Sequence, residues 1–168
     1  GDMVIVPDLT FIAPLNAARY CGAVPVLIGS DTKTWHMDPN ALEAFLTEEC
    51  RTKPEGCFHR ETGRRVRAVT AVHLLGSACE IDRIADTARR HGVLLVEDCA
   101  EAVGVRYRGK HVGTFSDAAA FSFNGNKIIT AGGGGMLVAP TKKMAEYGKY
   151  LTTQAKDDPI EYIHSEVG

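Results

Sequence analysis

Short apolar runs alternate along the chain with segments patterned on the helical period, the signature of β/α units around a mostly parallel sheet. The pattern predicts strands at about 3–7, 24–29, 66–73, 93–98, 118–123 and 135–139. The run Val93 to Val96 is apolar at successive positions, as expected of a strand covered on both faces. A first helix is predicted from Phe11 to Cys21, ending at Gly22 as a left-handed cap. A second begins at Asp38-Pro39, with aspartate as N-cap and proline at the first helical position. A third covers Glu80 to His91, where Ile81, Ile84, Ala85 and Ala88 make one apolar face and Gly92 closes it. A fourth follows Pro140. The polar stretch Arg51 to Arg65, with Pro54, Gly56 and Gly63 and no clear period, reads as an exposed loop or an insertion. Tyr107 to Lys110, with Gly109 between two β-like pieces, reads as a hairpin tip.

A length of 168 residues, 45% of them apolar, suits one globular domain with a sizeable core. Its net charge of -2 gives no electrostatic case for nucleic acid or anionic lipid and favours small, locally recognised ligands. The five cysteines, Cys21, Cys50, Cys57, Cys79 and Cys99, are scattered and form no Cys-x-x-Cys or zinc-type spacing. A reduced, cytoplasmic setting is expected, with no metal site. No apolar run approaches the length of a membrane span, and the start lacks an export-signal pattern. Both ends read as cut: Gly1-Asp2 leads straight into an apolar strand, and the tail stops at Ser165 to Gly168.

Ligands in an open α/β sheet collect at the carboxyl ends of the strands. Three predicted strand ends or strand approaches carry unusual residues. The run containing Val96 ends in Glu97 and Asp98, with Glu101 three residues on. Strand-end acids commonly cap the next turn, but one can also serve a buried cation. Alternation sends Glu97 and Asp98 to opposite faces, and Asp98 is the chosen candidate. The strand through Phe121, Ser122 and Phe123 runs into a polar turn with Lys127 just beyond, followed by Ile128 and Ile129. Most lysines are solvated surface residues, whereas one held in a partly desolvated pocket can attack a carbonyl. Gly132 to Gly135 precede a strand rather than a helix, so they read as a close-packed turn and not as a phosphate loop.

Taken together these segments resemble the DegT-like sugar aminotransferases, pyridoxal-phosphate (PLP) enzymes of fold type I. The resemblance rests on ordered landmarks: Val4 to Phe11, Gly22 to Val26, Asp31 to Pro39, Val72 to Gly76, Glu97 to Ala102, Val112 to Phe115 and Phe121 to Lys127. It implies an α/β fold, a three-layer α/β/α arrangement with a mostly parallel sheet, of which residues 1–168 form part of the large PLP-binding domain. The family's N-terminal phosphate loop and C-terminal small domain find no match in the chain.

By this resemblance Lys127 holds PLP as a Schiff base and then moves protons as general base and acid. Asp98 pairs with the pyridine nitrogen and keeps it protonated. Phe11 stacks on the cofactor ring, Ser122 bonds the phosphate, and Glu101 lies where members have glutamine or histidine near the ring. Phe11 and Ser122 also have readings as ordinary core residues. Asn16 and His73 fall in matching motifs with structural roles, while Gly133 and Ser116 depart from the family pattern away from the catalytic core. The implied reaction carries an amino group, with glutamate as donor, to a nucleotide-linked keto-sugar for surface polysaccharide or glycan biosynthesis. The segments Thr34 to Pro39 and Phe123 to Lys127 look most like the subgroup making 4-amino-4,6-dideoxy sugars. Sugar 3-dehydratases of the same lineage replace the lysine by histidine, so Lys127 argues against that activity. The alternative is a non-catalytic PLP- or nucleotide-binding protein or an inactive fragment. A homodimer or larger homo-oligomer is expected, and the isolated chain is expected to self-associate through apolar faces that the missing parts would cover.

Overall fold

The computed structural model describes every residue except 159, 162, 167 and 168, so the closing Val167-Gly168 lies outside the described residues. Its elements in chain order are β1 (Met3–Pro7), α1 (Ala13–Tyr20), β2 (Val24–Ile28), α2 (Pro39–Ala44), β3 (Cys50–Lys53), β4 (Gly56–His59) and β5 (Arg65–Val72). After these come α3 (Ile81–His91), β6 (Leu94–Asp98), β7 (Arg106–Tyr107), β8 (Lys110–His111), β9 (Ala118–Ser122), β10 (Gly135–Val138) and α4 (Lys142–Thr152). The main sheet runs β10-β9-β6-β5-β1-β2. The pairs among β2, β1, β5, β6 and β9 are parallel, and β10 is antiparallel to β9.

The connections explain where a ligand site can form. From β1 the chain crosses through α1 to β2 on one side, while from β5 it crosses through α3 to β6 on the other. Right-handed crossovers in opposite directions put α1 and α3 on opposite faces. The sheet therefore has its topological switch point between β1 and β5, where open α/β sheets bind ligands at the strands' carboxyl ends. Ile5 and Val6 point to opposite faces and both are fully buried, so β1 is covered on each side.

The helix signals operate as the sequence predicts. The Asp38 carboxylate accepts the Asn40 N–H at 2.8 Å, and Pro39 opens α2. Gly92 closes α3 with φ 65°, a conformation that costs glycine nothing sterically. Ile81, Ile84, Ala85 and Ala88 lie in the main core with Ile5, Val69 and Leu95 of the sheet. Truncating Ile84 to alanine is expected to cost about 2–5 kcal/mol, because a cavity remains among fixed neighbours. A urea titration checks this; an unchanged midpoint would contradict it. The hairpin tip is also present: Arg108 (φ 48°) and Gly109 (φ 82°) are both left-handed, the geometry of a type I′ turn between β7 and β8.

The stretch 51–65 corrects the sequence expectation of a loop. It contains most of β3 and all of β4, an antiparallel hairpin whose second strand pairs with β5 at Cys57↔Val66 and Phe58↔Arg65. Tertiary pairing overrides the weak local preference, because an edge next to the amino-terminal half of β5 offers hydrogen bonds and burial to Cys50 and Cys57. This hairpin sits at the amino ends of the parallel strands, away from the switch-point crevice.

Candidate functional site

Four loops meet at the carboxyl end of the sheet: 8–12 after β1, 73–77 after β5, 99–101 after β6 and 123–127 after β9. The first is tied to the end of β2 by the Ser30 hydroxyl, which donates to Asp8 Oδ1 at 2.7 Å. The second is held from both flanks. Leu75 N donates to Glu101 Oε2 at 2.8 Å, and Leu74 N donates to Nε2 of the buried His36 at 3.2 Å. Glu101 thus braces a site loop with its carboxylate.

At the end of β6 the alternation expected from the sequence holds. Glu97 is fully buried on the α3 side, while Asp98 is half-buried and on the other face. Asp98 Oδ1 accepts the Ala100 N–H at 2.9 Å. Asp98 is level with Ala120, so Ser122, two residues on, shares its face. Ser122 Oγ accepts the Asn124 N–H at 3.3 Å, leaving its own proton to donate elsewhere. Lys127 follows in a turn fixed by its own N–H to Asn124 O at 3.1 Å and is half-buried. Ile128 and Ile129 are exposed, so the lysine's apolar flanks are turned outward rather than packed in the core. Phe11, two strands from Asp98 across the switch point, is 72% exposed and is not a core phenylalanine. Asn16 lies on α1, and Gly132 (φ 80°) and Gly134 (φ 98°) make the tight turn before β10.

Behind Asp98 lies an arrangement whose partners the sequence did not reveal. The two Glu97 oxygens receive four donors: His73 Nε2 (3.1 Å), Gly113 N (2.7 Å), Phe115 N (2.9 Å) and Ser116 Oγ (2.7 Å). Burial pushes this carboxyl up, but the hydrogen bonds from His73, Ser116, Gly113 and Phe115 outweigh it and hold it below the ordinary range. His73, Glu97 and Cys99 are close enough together to suggest a metal site. However, the Cys79 N–H occupies His73 Nδ1 at 3.2 Å, and Nε2 carries the proton given to Glu97. The imidazole has no spare lone pair, and the trio reads as a hydrogen-bonded core. Two cavities, of about 390 and 280 Å³, are lined by Leu94 and Asp117 and by Val112 and Met136 respectively, and neither is lined by Asp98 or Lys127.

The buried cysteines supply no nucleophile. All five are free, and burial pushes Cys50 up to about 12 and raises Cys57, Cys79 and Cys99. Cys21 alone is exposed. A thiol reagent at mildly alkaline pH is expected to label Cys21 first and the other four only on unfolding. Rapid labelling of several thiols in the native protein would contradict this.

The mostly parallel sheet with its switch point between β1 and β5 is the α/β fold of the fold-type I pyridoxal-phosphate enzymes. The chain belongs to the DegT/DnrJ/EryC1/StrS aminotransferase family, whose model matches residues 1–168. It is 44% identical over all 168 residues to GDP-perosamine synthase of Caulobacter vibrioides, covering 41% of that protein. It is 42% identical over the same span to a putative pyridoxal phosphate-dependent aminotransferase, EpsN, of Bacillus subtilis, again covering 41%. Among solved structures, S. venezuelae DesV in complex with a ketimine intermediate aligns with a TM-score of 0.79 at 34% identity, over 99% of this chain and 40% of that one. The chain spans about two fifths of the length of these relatives. Among the described residues no helix is long and apolar enough to cross a membrane.

Proposed function

We propose that this chain carries the lysine and the ring-nitrogen carboxylate of a PLP-dependent aminotransferase acting on a nucleotide-linked keto-sugar, with glutamate as amino donor. The observation that carries the reading is that Asp98 and Ser122 share one sheet face at the carboxyl ends of β6 and β9, with Lys127 in the turn that follows β9. Because the chain spans about two fifths of its relatives' length, the activity is proposed for a protein of the relatives' size, acting as a homodimer or larger assembly.

The residues present fit the cofactor. Asp98 offers an anion to a protonated ring nitrogen, and its second oxygen is not needed for the Ala100 contact. Ser122 has a hydroxyl proton to give to a phosphate oxygen, and exposed Phe11 offers a flat face to the ring. Lys127 supplies the amine that attaches the cofactor and, once released, takes and returns protons. When bound, PLP supplies the electron sink that lets an amino group leave one carbon and join another. Glu101 acts on the site through the loop it braces.

The acceptor reading is supported by the name GDP-perosamine synthase, borne by relatives at 44% and 38% identity over the full chain. A relative of 38% identity, named L-glutamine:scyllo-inosose aminotransferase, from Streptomyces griseus, makes glutamine and a cyclitol the alternatives to test. The decisive measurement is to supply PLP to the intact protein, record its visible absorbance, reduce with borohydride and map the modified peptide. Fixation on the Lys127 peptide is expected. A protein that stays colourless and takes up no PLP would overturn catalytic competence and favour a non-catalytic role. Glutamate and glutamine, each paired with nucleotide-linked keto-sugars and with a keto-cyclitol, then decide donor and acceptor.

A further inference from the structure

We propose that Glu97 and His73 form a buried positioning pair that sets the direction of the Asp98 carboxylate from the opposite face of the sheet. The inference rests on the cofactor reading above and concerns how the carboxylate is aimed.

Glu97 and Asp98 are consecutive in one strand, so whatever fixes the roll of that strand end about its axis fixes both side chains. Glu97 is the element that fixes it. Its carboxylate is fully buried and holds donors from two separate parts of the chain: His73 beyond β5, and Gly113, Phe115 and Ser116 before β9. His73 grips the strand end twice, giving its backbone N–H to Asp98 O at 3.0 Å and its Nε2 proton to Glu97. On the other flank Cys99 N donates to Ala120 O at 2.8 Å. The loop from residue 113 is pressed close against β9: a Cβ on Gly113, which has φ 83°, would fall 2.7 Å from the Phe121 ring. Asp98 is thus carried on a strand end clamped to β5 and to the approach to β9, with its own Oδ1 on Ala100 N.

The chemistry requires an ionised carboxylate at 97. All four partners are donors, and an ionised carboxylate accepts at both oxygens. A glutamine would present its amide N–H₂ to donors on one side and leave them unpaired, turning the clamp loose. A purely structural residue would lower stability alone. A positioning residue also loses the work of Asp98 in molecules that remain folded.

The test combines Glu97→Gln and the gentler Ser116→Ala, which removes one donor and keeps the charge, each with and without Asp98→Asn, in the intact protein. Only variants with cooperative thermal unfolding are compared, and Ser116→Ala keeps the test open if Glu97→Gln does not fold. In the cofactor-free protein the Ala100 amide is expected to exchange about tenfold faster in either variant while α3 keeps its protection. With PLP, borohydride still fixes the cofactor on Lys127, kcat falls about tenfold or more, and this loss disappears when Asp98 is already asparagine. Losses that multiply regardless of residue 98, or an Ala100 amide that exchanges as in the parent, overturn the positioning role. If the parent protein is never fixed by borohydride, the cofactor reading fails and this inference falls with it, a result distinct from a parent that is fixed but shows no coupling.

Discussion

Replacing Lys127 with alanine is expected to abolish borohydride-fixed cofactor on its peptide and to lower turnover by about 10³-fold or more, while the protein keeps its fold. The size follows from the two roles assigned to one amine. Proton transfer by a positioned side chain contributes about 10²–10⁴-fold, and loss of the covalent attachment adds to that. The fold is expected to survive because the substitution lies in a turn, where the fixed interaction of Lys127 is its own backbone N–H to Asn124 O, which alanine retains. Its neighbours Asn126 and Ile128 are exposed, so no core contact is lost. Visible absorbance, mass mapping after reduction and circular dichroism together check the expectation. An unchanged spectrum, with PLP still fixed somewhere in the variant, would remove Lys127 from the mechanism.

The parallel strands and helices α1 to α4 were legible in the sequence because they carry local signals. Ile81, Ile84, Ala85 and Ala88 repeat at helical spacing, Asp38-Pro39 and Gly92 punctuate, and the apolar runs mark the strands, although β6, expected to be covered on both faces, leaves Leu94 50% exposed. The β3–β4 hairpin was not legible. Arg51, Thr52 and Lys53 face solvent, and what makes them a strand is β4, itself docked on the edge of β5, which no local pattern announces. The proposed site residues came from motifs, and alternation assigned Asp98 and Glu97 to the opposite faces they occupy. The partners of Glu97 could not: His73 lies 24 residues before it and Ser116 lies 19 after, and only the folded sheet brings their donors to one carboxylate. Two acids adjacent in a strand were the available clue, since alternation turns one of them to the packed face, where it must be satisfied. Ile128 and Ile129 mark the opposite case, because the apolar pair beside Lys127 that suggested a desolvated surrounding is exposed.

Asp98→Asn separates binding from chemistry more sharply than any other single change in this site. The amide keeps the size of the carboxylate and its Oδ1 contact to Ala100 N, and the backbone pairing of β6 with β5 and β9 is unaffected. Stability is therefore expected to change by no more than about 1 kcal/mol, within the range of substitutions that leave no buried group unpaired. The charge is what disappears. An anion beside the ring nitrogen favours its protonated form, and removal of one preorganised electrostatic partner costs about 10²–10³-fold in kcat. PLP retention on dialysis and fixation on Lys127 should persist, because Ser122, Phe11 and the lysine itself are intact. The KM for the amino donor should move little, since the lost interaction strengthens in the transition state rather than in the bound ground state. A variant with parental kcat would show that Asp98 only caps the turn at Ala100, the ordinary fate of an acid at a strand end. A fall in PLP retention with kcat preserved at saturating cofactor would instead make it a binding group.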